Sequence, residues 1–367
     1  MQSRVPRTPT PHRGARKQGG RTIAVNLSEP RMTESFVVTS PADDPLGILA
    51  TTAPVMENNA QVRLDAEAAR AFAAACRRTS PPVAEEDALH ATFLPPRRFC
   101  TYLLALEAMN FCFWDEAPRW SVDYRGHRHD GYWALAAALH RALREDALPL
   151  WDAHYLAELD EAALAHLLRG EGRPVPLLAE RTANVREAGR VLLERWGGEF
   201  ANVVEAAYGD AVTLVRLIVR EFPSFRDETR WHGHVVKFFK RAQITVADLT
   251  RMLPDPPGGP LTGLERLTAF ADYKVPQVLR KEGILVPDEA LAARLERGEE
   301  LPAGSDEEIA IRAATVWGVE WVVRAWRRLL PEGESAPSAA DVDLRLWLAG
   351  QDKSGLPPYH RTRTIYY

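Results

Sequence analysis

From Ala60 onward, apolar residues recur three and four positions apart in segment after segment, with polar residues between them, as in the run Leu64, Ala68, Phe72 and Cys76. That spacing gathers the apolar side chains on one face of a helix. It predicts helices over approximately 99–114, 131–147, 153–168, 176–197, 199–222, 228–252, 262–282, 305–330 and 340–349. Strict alternation is scarce and predicts one hairpin, Trp120 to His129 (WSVDYRGHRH), where alternating residues flank a glycine in a turn-like setting. Gly197 with Gly198, the Pro-Pro-Gly-Gly run at 256–259 and the stretch Pro331 to Pro337 punctuate the helices. There is no internal repeat and no heptad register. The expectation is a mainly α, multi-helix globular fold, all helical but for at most a small hairpin.

Composition narrows the class. The chain has 367 residues, 46% hydrophobic and 26% charged, which suits a folded protein with a sizeable core. Cys76, Cys100 and Cys112 are an odd number with no CxxC pair, and the expected setting is reduced and cytoplasmic. Residues 1–31 combine Arg, Pro and Gly without periodicity and precede a second methionine, Met32. They read as a disordered basic extension or as an upstream start, dispensable for folding and activity, with the folded domain over 45–367. They lack the amphipathic stripe or apolar core of a targeting peptide. Seven of the 46 Lys/Arg and one of the 50 Asp/Glu fall in this segment, which leaves 39 basic against 49 acidic residues, a net charge of −10, in the remainder. An acidic body argues against a stable nucleic-acid partner, because such binding needs clustered cations that displace condensed counterions. The most apolar stretch, Phe99 to Trp114, carries Glu107 and falls short of the roughly 20 residues a bilayer span requires. No membrane segment is expected.

Three stretches concentrate polar groups among apolar ones. In PSFRDETRWHGHVVKFFKRAQITVADL, residues 223–249, Pro223 and Ser224 suit a helix entry, with Asp227 just inside it. Asp227 is there either a first-turn acid or a functional carboxylate. Lys240, Arg241, Gln243 and Asp248 then lie embedded among Val235, Val236, Phe238, Phe239, Ile244, Val246 and Leu249, and buried polar groups need partners, a ligand among them. In LTAFADYKVPQVL, residues 267–279, Asp272 and Tyr273 sit between apolar stretches and Pro276 interrupts the helix pattern, so Asp272 either caps a broken turn or faces a flat polar ring. In MNFCFWDE, residues 109–116, Asn110 interrupts an apolar run, and the aromatics are either core or a base-stacking wall. His127 with His129 and His232 with His234 are i, i+2 pairs without partners at ligand spacing, so no metal site is expected. The Walker, GxGxxG, GxSxG and HExxH patterns are absent.

At these same residues the chain resembles the queuosine salvage protein family, the queuosine 5′-phosphate N-glycosidases. The resemblance runs from about residue 60 to the C-terminus through NFCFW (110–114), HDGYWAL (129–135), FPSFRDE (222–228), VKFFKRAQITVADL (236–249), LTAFADYKVPQVL (267–279) and PYHRTRTIYY (358–367). It implies a mainly helical fold loosely like helical DNA glycosylases. It implies hydrolysis of the bond between the ribose of queuosine 5′-phosphate and its base, releasing queuine for reinsertion into tRNA, with no metal or organic cofactor. The family's essential aspartate carries over to Asp227, and its base pocket to Phe225, Trp231, Asp272 and Tyr273. The chain departs from the family pattern at Trp231 and His232.

Cleavage of an N-ribosidic bond builds positive charge at the anomeric carbon, which an ionised carboxylate stabilises or attacks. The departing deazaguanine needs a proton or strong hydrogen bonds. Asp272 suits the cationic aminomethyl arm of queuine or its diol, with His90 a weaker candidate for the same region. Lys240, Arg241, His360 and Arg361 are the candidates for the 5′-phosphate, with core salt bridges as the other reading of Lys240 and Arg241. The competing functions are a non-catalytic module that binds queuine or tRNA, and a broader nucleoside or nucleotide hydrolase.

Overall fold

In the computed structural model, which describes residues 35–38, 40–79 and 88–367, the first helix is α1 (Ile48–Asn58). The Asp44 carboxylate takes the Ile48 and Ala50 amides at 2.8 and 2.7 Å and so caps its start. The basic extension expected over residues 1–31 lies outside the described residues. Next come β1 (Val62–Leu64), α2 (Ala66–Cys76) and α3 (Pro96–Ala108). The hairpin read from WSVDYRGHRH is present as β2 (Ser121–Tyr124) and β3 (His127–Asp130), with Arg125 and Gly126 at positive φ in the two-residue turn. It leads into α4 (Gly131–Arg144).

Two expected helices are each divided in two. Over 153–168 stand α5 (Ala153–Glu158) and α6 (Glu161–Leu167), because the Asp160 side chain caps a new start by accepting from Ala163 N–H. After α7 (Leu178–Arg195), the span 199–222 holds α8 (Phe200–Glu205) and α9 (Ala211–Glu221), separated where Tyr208 and Gly209 take positive φ and Asp210 caps the second piece.

The helix expected over 228–252 is corrected more deeply. Residues 228–237 are a hairpin, β4 (Glu228–Trp231) and β5 (His234–Lys237), and only α10 (Lys240–Met252) is helical. The turn is His232-Gly233, both at positive φ, the backbone that a two-residue hairpin turn needs and a helix excludes. Asp227 therefore lies ahead of a strand, not inside a helix.

Over 262–282 only α11 (Val275–Lys281) is an α-helix, preceded by a tight turn at Leu264–Arg266 and a buried extended run. β6 (Leu285–Pro287) then pairs antiparallel with β1. The chain closes with α12 (Glu289–Glu296), α13 (Asp306–Leu329) and α14 (Ala339–Ala349). Helix dominates as expected, but among the described residues three two-stranded antiparallel pairs replace the single hairpin.

The 24-residue α13 organises the core. Apolar side chains on all its faces are buried, and it packs against α1, α2, α11 and α14. Gly318 sits where an added Cβ would stand 3.3 to 3.6 Å from Leu279, Leu64 and Ile284, so these elements close tightly on it. Phe36 stacks on Trp321 at 5.2 Å, and the packed unit spans Ser35–Tyr367. Among the described residues no helix is long and apolar enough to cross a membrane.

Candidate active site

α3 stops at Ala108, six residues short of the apolar run that encodes it, because Asn110 and Cys112 (φ 42°) leave the helical conformation. The carbonyls freed at its C-terminus are taken by two buried arginines. Arg181 donates to the carbonyls of Met109, Phe111 and Cys112, and Arg241 donates to Glu107 and Ala108 at 3.2 and 3.0 Å and also to Ser224. Cations at a helix C-terminus are favourable, and here they replace the missing helical turn. Burial lowers Arg181 to about 9 and Arg241 to about 10.

The irregular NFCFW segment held in this way forms one side of a cleft of about 760 Å3. Phe111, Phe113, Trp114 and Trp120 line it, Phe113 and Trp120 stacked with their planes 16° apart. Tyr132, Trp133 and Trp347 line another part, each meeting the others edge to face at 5.2 to 5.7 Å. A cleft of this size and aromatic lining suits a planar base with an attached sugar. The C-terminal segment lies against it: Cys112 N–H donates to the Tyr367 carbonyl at 2.8 Å, Gln277 Nε2 donates to Pro357 at 2.6 Å, and Tyr359 and Tyr367 line the cleft.

The polar part of the lining is built on Lys240, the first residue of α10, and on Asp272, just ahead of α11. Lys240 Nζ donates to the Asn110 carbonyl at 3.2 Å. Asp272 Oδ1 accepts the Lys274 and Val275 amides, each at 2.8 Å, which caps α11 and leaves Oδ2 for another partner. Burial raises the Asp272 pKa, while Lys240 and those two amides oppose the rise; burial depresses Lys240, while Glu107 and Asp272 oppose that.

Two further acids belong to the group. Glu107, fully buried on α3, accepts from Asn110 Nδ2 at 2.8 Å and is pushed up to about 8 by burial and by Asp248. Asp343 on α14 lines the cleft and accepts the Phe270 amide at 2.8 Å; burial and then Asp272 lift it well above the usual carboxylate range. Buried carboxyls gathered around one lysine oppose one another's ionisation.

Of the residues singled out from sequence, Lys240, Asp272 and Tyr273 line the cleft together. Asn110, Asp248 and the NFCFW aromatics line it too, whereas Asp227, Phe225, Trp231, His90, Arg241, His360 and Arg361 do not. Asp227 is buried and grips Arg312 of α13 with both oxygens, at 2.9 and 2.6 Å. Its Oδ2 also accepts the Lys240 amide at 3.2 Å, so it caps α10. Phe225 is buried beneath the Arg241 guanidinium, and Trp231 stacks on His232 at 4.2 Å in the hairpin. His90 lies behind the aromatic wall, 2.8 Å from the Tyr132 hydroxyl. His360 is buried against Tyr367 and depressed to about 3 by burial and by Arg312. The Arg361 guanidinium lies 5.9 Å above the Trp114 ring.

His127 and His129 stand 6.3 Å apart on one strand, and His232 meets Asp306 at 3.2 Å; among the described residues no group of three or more His, Cys, Asp or Glu side chains is placed to hold a metal ion. Glu107, Asp343 and the aromatics of α4 and α14 were not singled out as candidates. A signal existed for Asp343, which shares the buried face of α14 with Val342 and Leu346.

Comparison with known proteins agrees with the resemblance drawn from the sequence blocks. The sequence profile described as queuosine salvage protein matches residues 90–367. A Sphaerobacter thermophilus protein named queuosine 5′-phosphate N-glycosylase/hydrolase is 48% identical over 329 residues, 88% of this chain and 98% of the relative. Proteins of the same name from Mus musculus and Schizosaccharomyces pombe are 37% and 28% identical, each over 72% of this chain and over 81% and 82% of the relative.

Proposed function

This chain belongs to the queuosine salvage protein family, and from that premise we propose that its reaction, hydrolysis of the N-glycosidic bond of queuosine 5′-phosphate with release of queuine, runs on the Asp272 carboxylate. The observation that carries this choice over Asp227 is the position of the two acids: Asp272 lines the cleft beside Lys240 with one oxygen anchored by helix amides, whereas both oxygens of Asp227 are spent on Arg312. Lys240 and the two amides favour the charged form of Asp272 against its burial. An ionised carboxylate in a water-poor cleft stabilises the oxocarbenium-like transition state far more than it would in bulk water.

Hydrolysis adds the hydroxyl of water to the anomeric carbon and a proton to the departing base. Asp343, whose carboxyl burial and Asp272 lift well above the usual carboxylate range in the same cleft, is equipped to supply that proton and to recover one from the attacking water. The aromatic walls hold the flat base. Asp227, through Arg312 and the cap on α10, positions Lys240 from below.

The catalytic domain in this reading spans residues 45–367, supported by the family match and by the length shared with the Sphaerobacter thermophilus relative. Its many short helices around a sunken site support the likeness to helical DNA glycosylases. Three buried, unbridged cysteines support a cytoplasmic setting, and the acidic body supports a small-molecule substrate without a lasting nucleic-acid partner.

The test is release of queuine from queuosine 5′-phosphate by the purified protein in the presence of chelator, followed chromatographically beside Asp272→Asn and Asp227→Asn, with guanosine and inosine monophosphates as competitors. Turnover that collapses in Asp272→Asn alone supports the assignment. Equal turnover of the ordinary purine nucleotides points to a broad nucleotide hydrolase, and tight queuine binding without release points to a carrier.

A further inference from the structure

A second cavity, of about 370 Å3, shares no lining residue with the cleft. Four cations line it: Arg216 and Arg220 on α9, Arg226 in the turn that follows, and Lys237 at the end of β5. Leu46, Val215 and Phe239 supply apolar wall between them, and among the described residues no carboxylate lines the cavity. The acids that reach these cations stand outside it and are committed elsewhere. Glu221 meets Arg220 at 2.7 Å but also Arg195 at 3.0 Å. Asp44, on which the Lys237 charge acts, gives its two oxygens to the Ile48 and Ala50 amides.

Arg216 and Arg226 are held by backbone carbonyls. Arg216 Nη2 donates to Pro45 at 2.6 Å, and Arg226 donates to Val219 through Nε at 3.4 Å and to Arg220 through Nη2 at 3.5 Å. These bonds fix the two guanidiniums and leave Nη1 of each for a ligand. Like charges gathered in one concavity repel one another, and here no lining carboxylate relieves them.

We propose that this cavity is a second anion site, separate from the nucleotide cleft, that binds a phosphoryl dianion carried by a small molecule. A phosphoryl group brings close to two negative charges and three acceptor oxygens, so one anion can serve several of these cations at once, and guanidiniums suit it best. The apolar wall strengthens the attraction by excluding water. A nucleic-acid strand would need a track of cations along its backbone, whereas these four close on one cavity. The position gives binding a structural consequence. Arg226 directly precedes Asp227, and Phe239, whose N–H donates to the Asp227 carbonyl at 3.3 Å, directly precedes Lys240. An anion shared by Arg216, Arg226 and Lys237 ties the segment between Asp227 and Lys240 to α9.

The experiment titrates inorganic phosphate and, separately, glycerol 3-phosphate into the full-length protein by calorimetry at constant ionic strength, so that screening does not vary, and follows the unfolding midpoint in parallel. Parent, Arg216→Gln/Arg226→Gln and Lys237→Gln are compared. Each charge-assisted bond removed corresponds to about tenfold in affinity or more, so Lys237→Gln should bind about tenfold and the double variant about a hundredfold more weakly. Phosphate should raise the unfolding midpoint of the parent and leave that of the double variant level. Lys237→Gln keeps both guanidiniums and their carbonyl bonds, so it tests the site even where the double variant folds poorly. Tighter binding of glycerol 3-phosphate than of phosphate assigns the site to an organic ester, and the reverse assigns it to free phosphate. Phosphate held in the nucleotide cleft would be indifferent to these substitutions, so equal binding by the parent and both variants, or no binding by the parent, overturns the site.

Discussion

Asp227 and Arg312 meet in a two-pronged ion pair, the carboxylate oxygens 2.9 and 2.6 Å from the two terminal guanidinium nitrogens, with both side chains almost wholly removed from solvent. Around it the Arg312 guanidinium lies over the Phe238 and Tyr367 rings at 3.9 and 4.3 Å, and the Tyr367 hydroxyl donates to Glu308 at 2.8 Å. Burial opposes the charge on Arg312, but Asp227 and Glu308 more than offset it. Removing one partner of such a pair leaves a buried charge uncompensated, at a cost of about 3–5 kcal/mol. Asp227→Asn should therefore lower unfolding stability by about that much in urea titration, while the folded fraction keeps measurable queuine release at low temperature. A variant of parental stability without activity would return the catalytic role to Asp227.

Asp272→Asn should do the reverse. The amide oxygen still accepts the Lys274 and Val275 amides, so the cap on α11 survives and stability should change by only about 1 kcal/mol. The charge facing the ribose is gone, and kcat should fall by roughly 10²–10³-fold or more. Substrate binding measured on the inactive variant should persist, because the aromatic walls and the cations are untouched. Loss of binding together with kcat would make Asp272 a recognition group for the base instead.

The contrast between these two acids shows how far the sequence could be read. Both stood out as polar residues in apolar blocks, and the break at Pro276 with Asp272 and Tyr273 before it was legible as a ligand-facing turn. The difference between them lies in Arg312, 85 residues beyond Asp227 in the middle of an apolar helix, which no local spacing connects to it. The 228–237 hairpin was hidden because its apolar residues also suit a helical stripe, and only the positive φ at His232 and Gly233 separates the two. NFCFW was legible as an aromatic wall, but not as a broken helix end, because the arginines that make the break affordable come from α7 and α10.

His360 gives a prediction on the acid side. Burial, with Arg312 adding to it, depresses the ring from the usual 6.5 to about 3. Between those values the unfolded chain binds a proton that the folded chain refuses, so the histidine's contribution is intact above pH 6.5 and is lost as pH falls towards 3, by about 1.4 kcal/mol per pH unit. His360→Gln removes this slope. Unfolding free energies measured in urea at pH 7 and pH 4.5 should show a smaller acid-side loss in the variant than in the parent; identical losses would mean that the ring is protonated in the folded state.

Glu107 gives the opposite slope. Burial and the Asp248 charge raise its carboxyl from 4.5 to about 8, against Lys240 and the Asn110 hydrogen bond. Between pH 4.5 and 8 the unfolded chain releases a proton that the folded chain retains, so stability from this group is complete below pH 4.5 and declines as pH rises to about 8. Glu107→Gln keeps an oxygen to accept from Asn110 Nδ2 and cannot ionise, so it should be level with the parent near pH 4.5 and more stable than the parent at pH 8. The measurement is the difference in unfolding free energy between the two proteins across that range. A difference that does not grow with pH would mean that Glu107 is ionised at neutral pH, paired with Lys240.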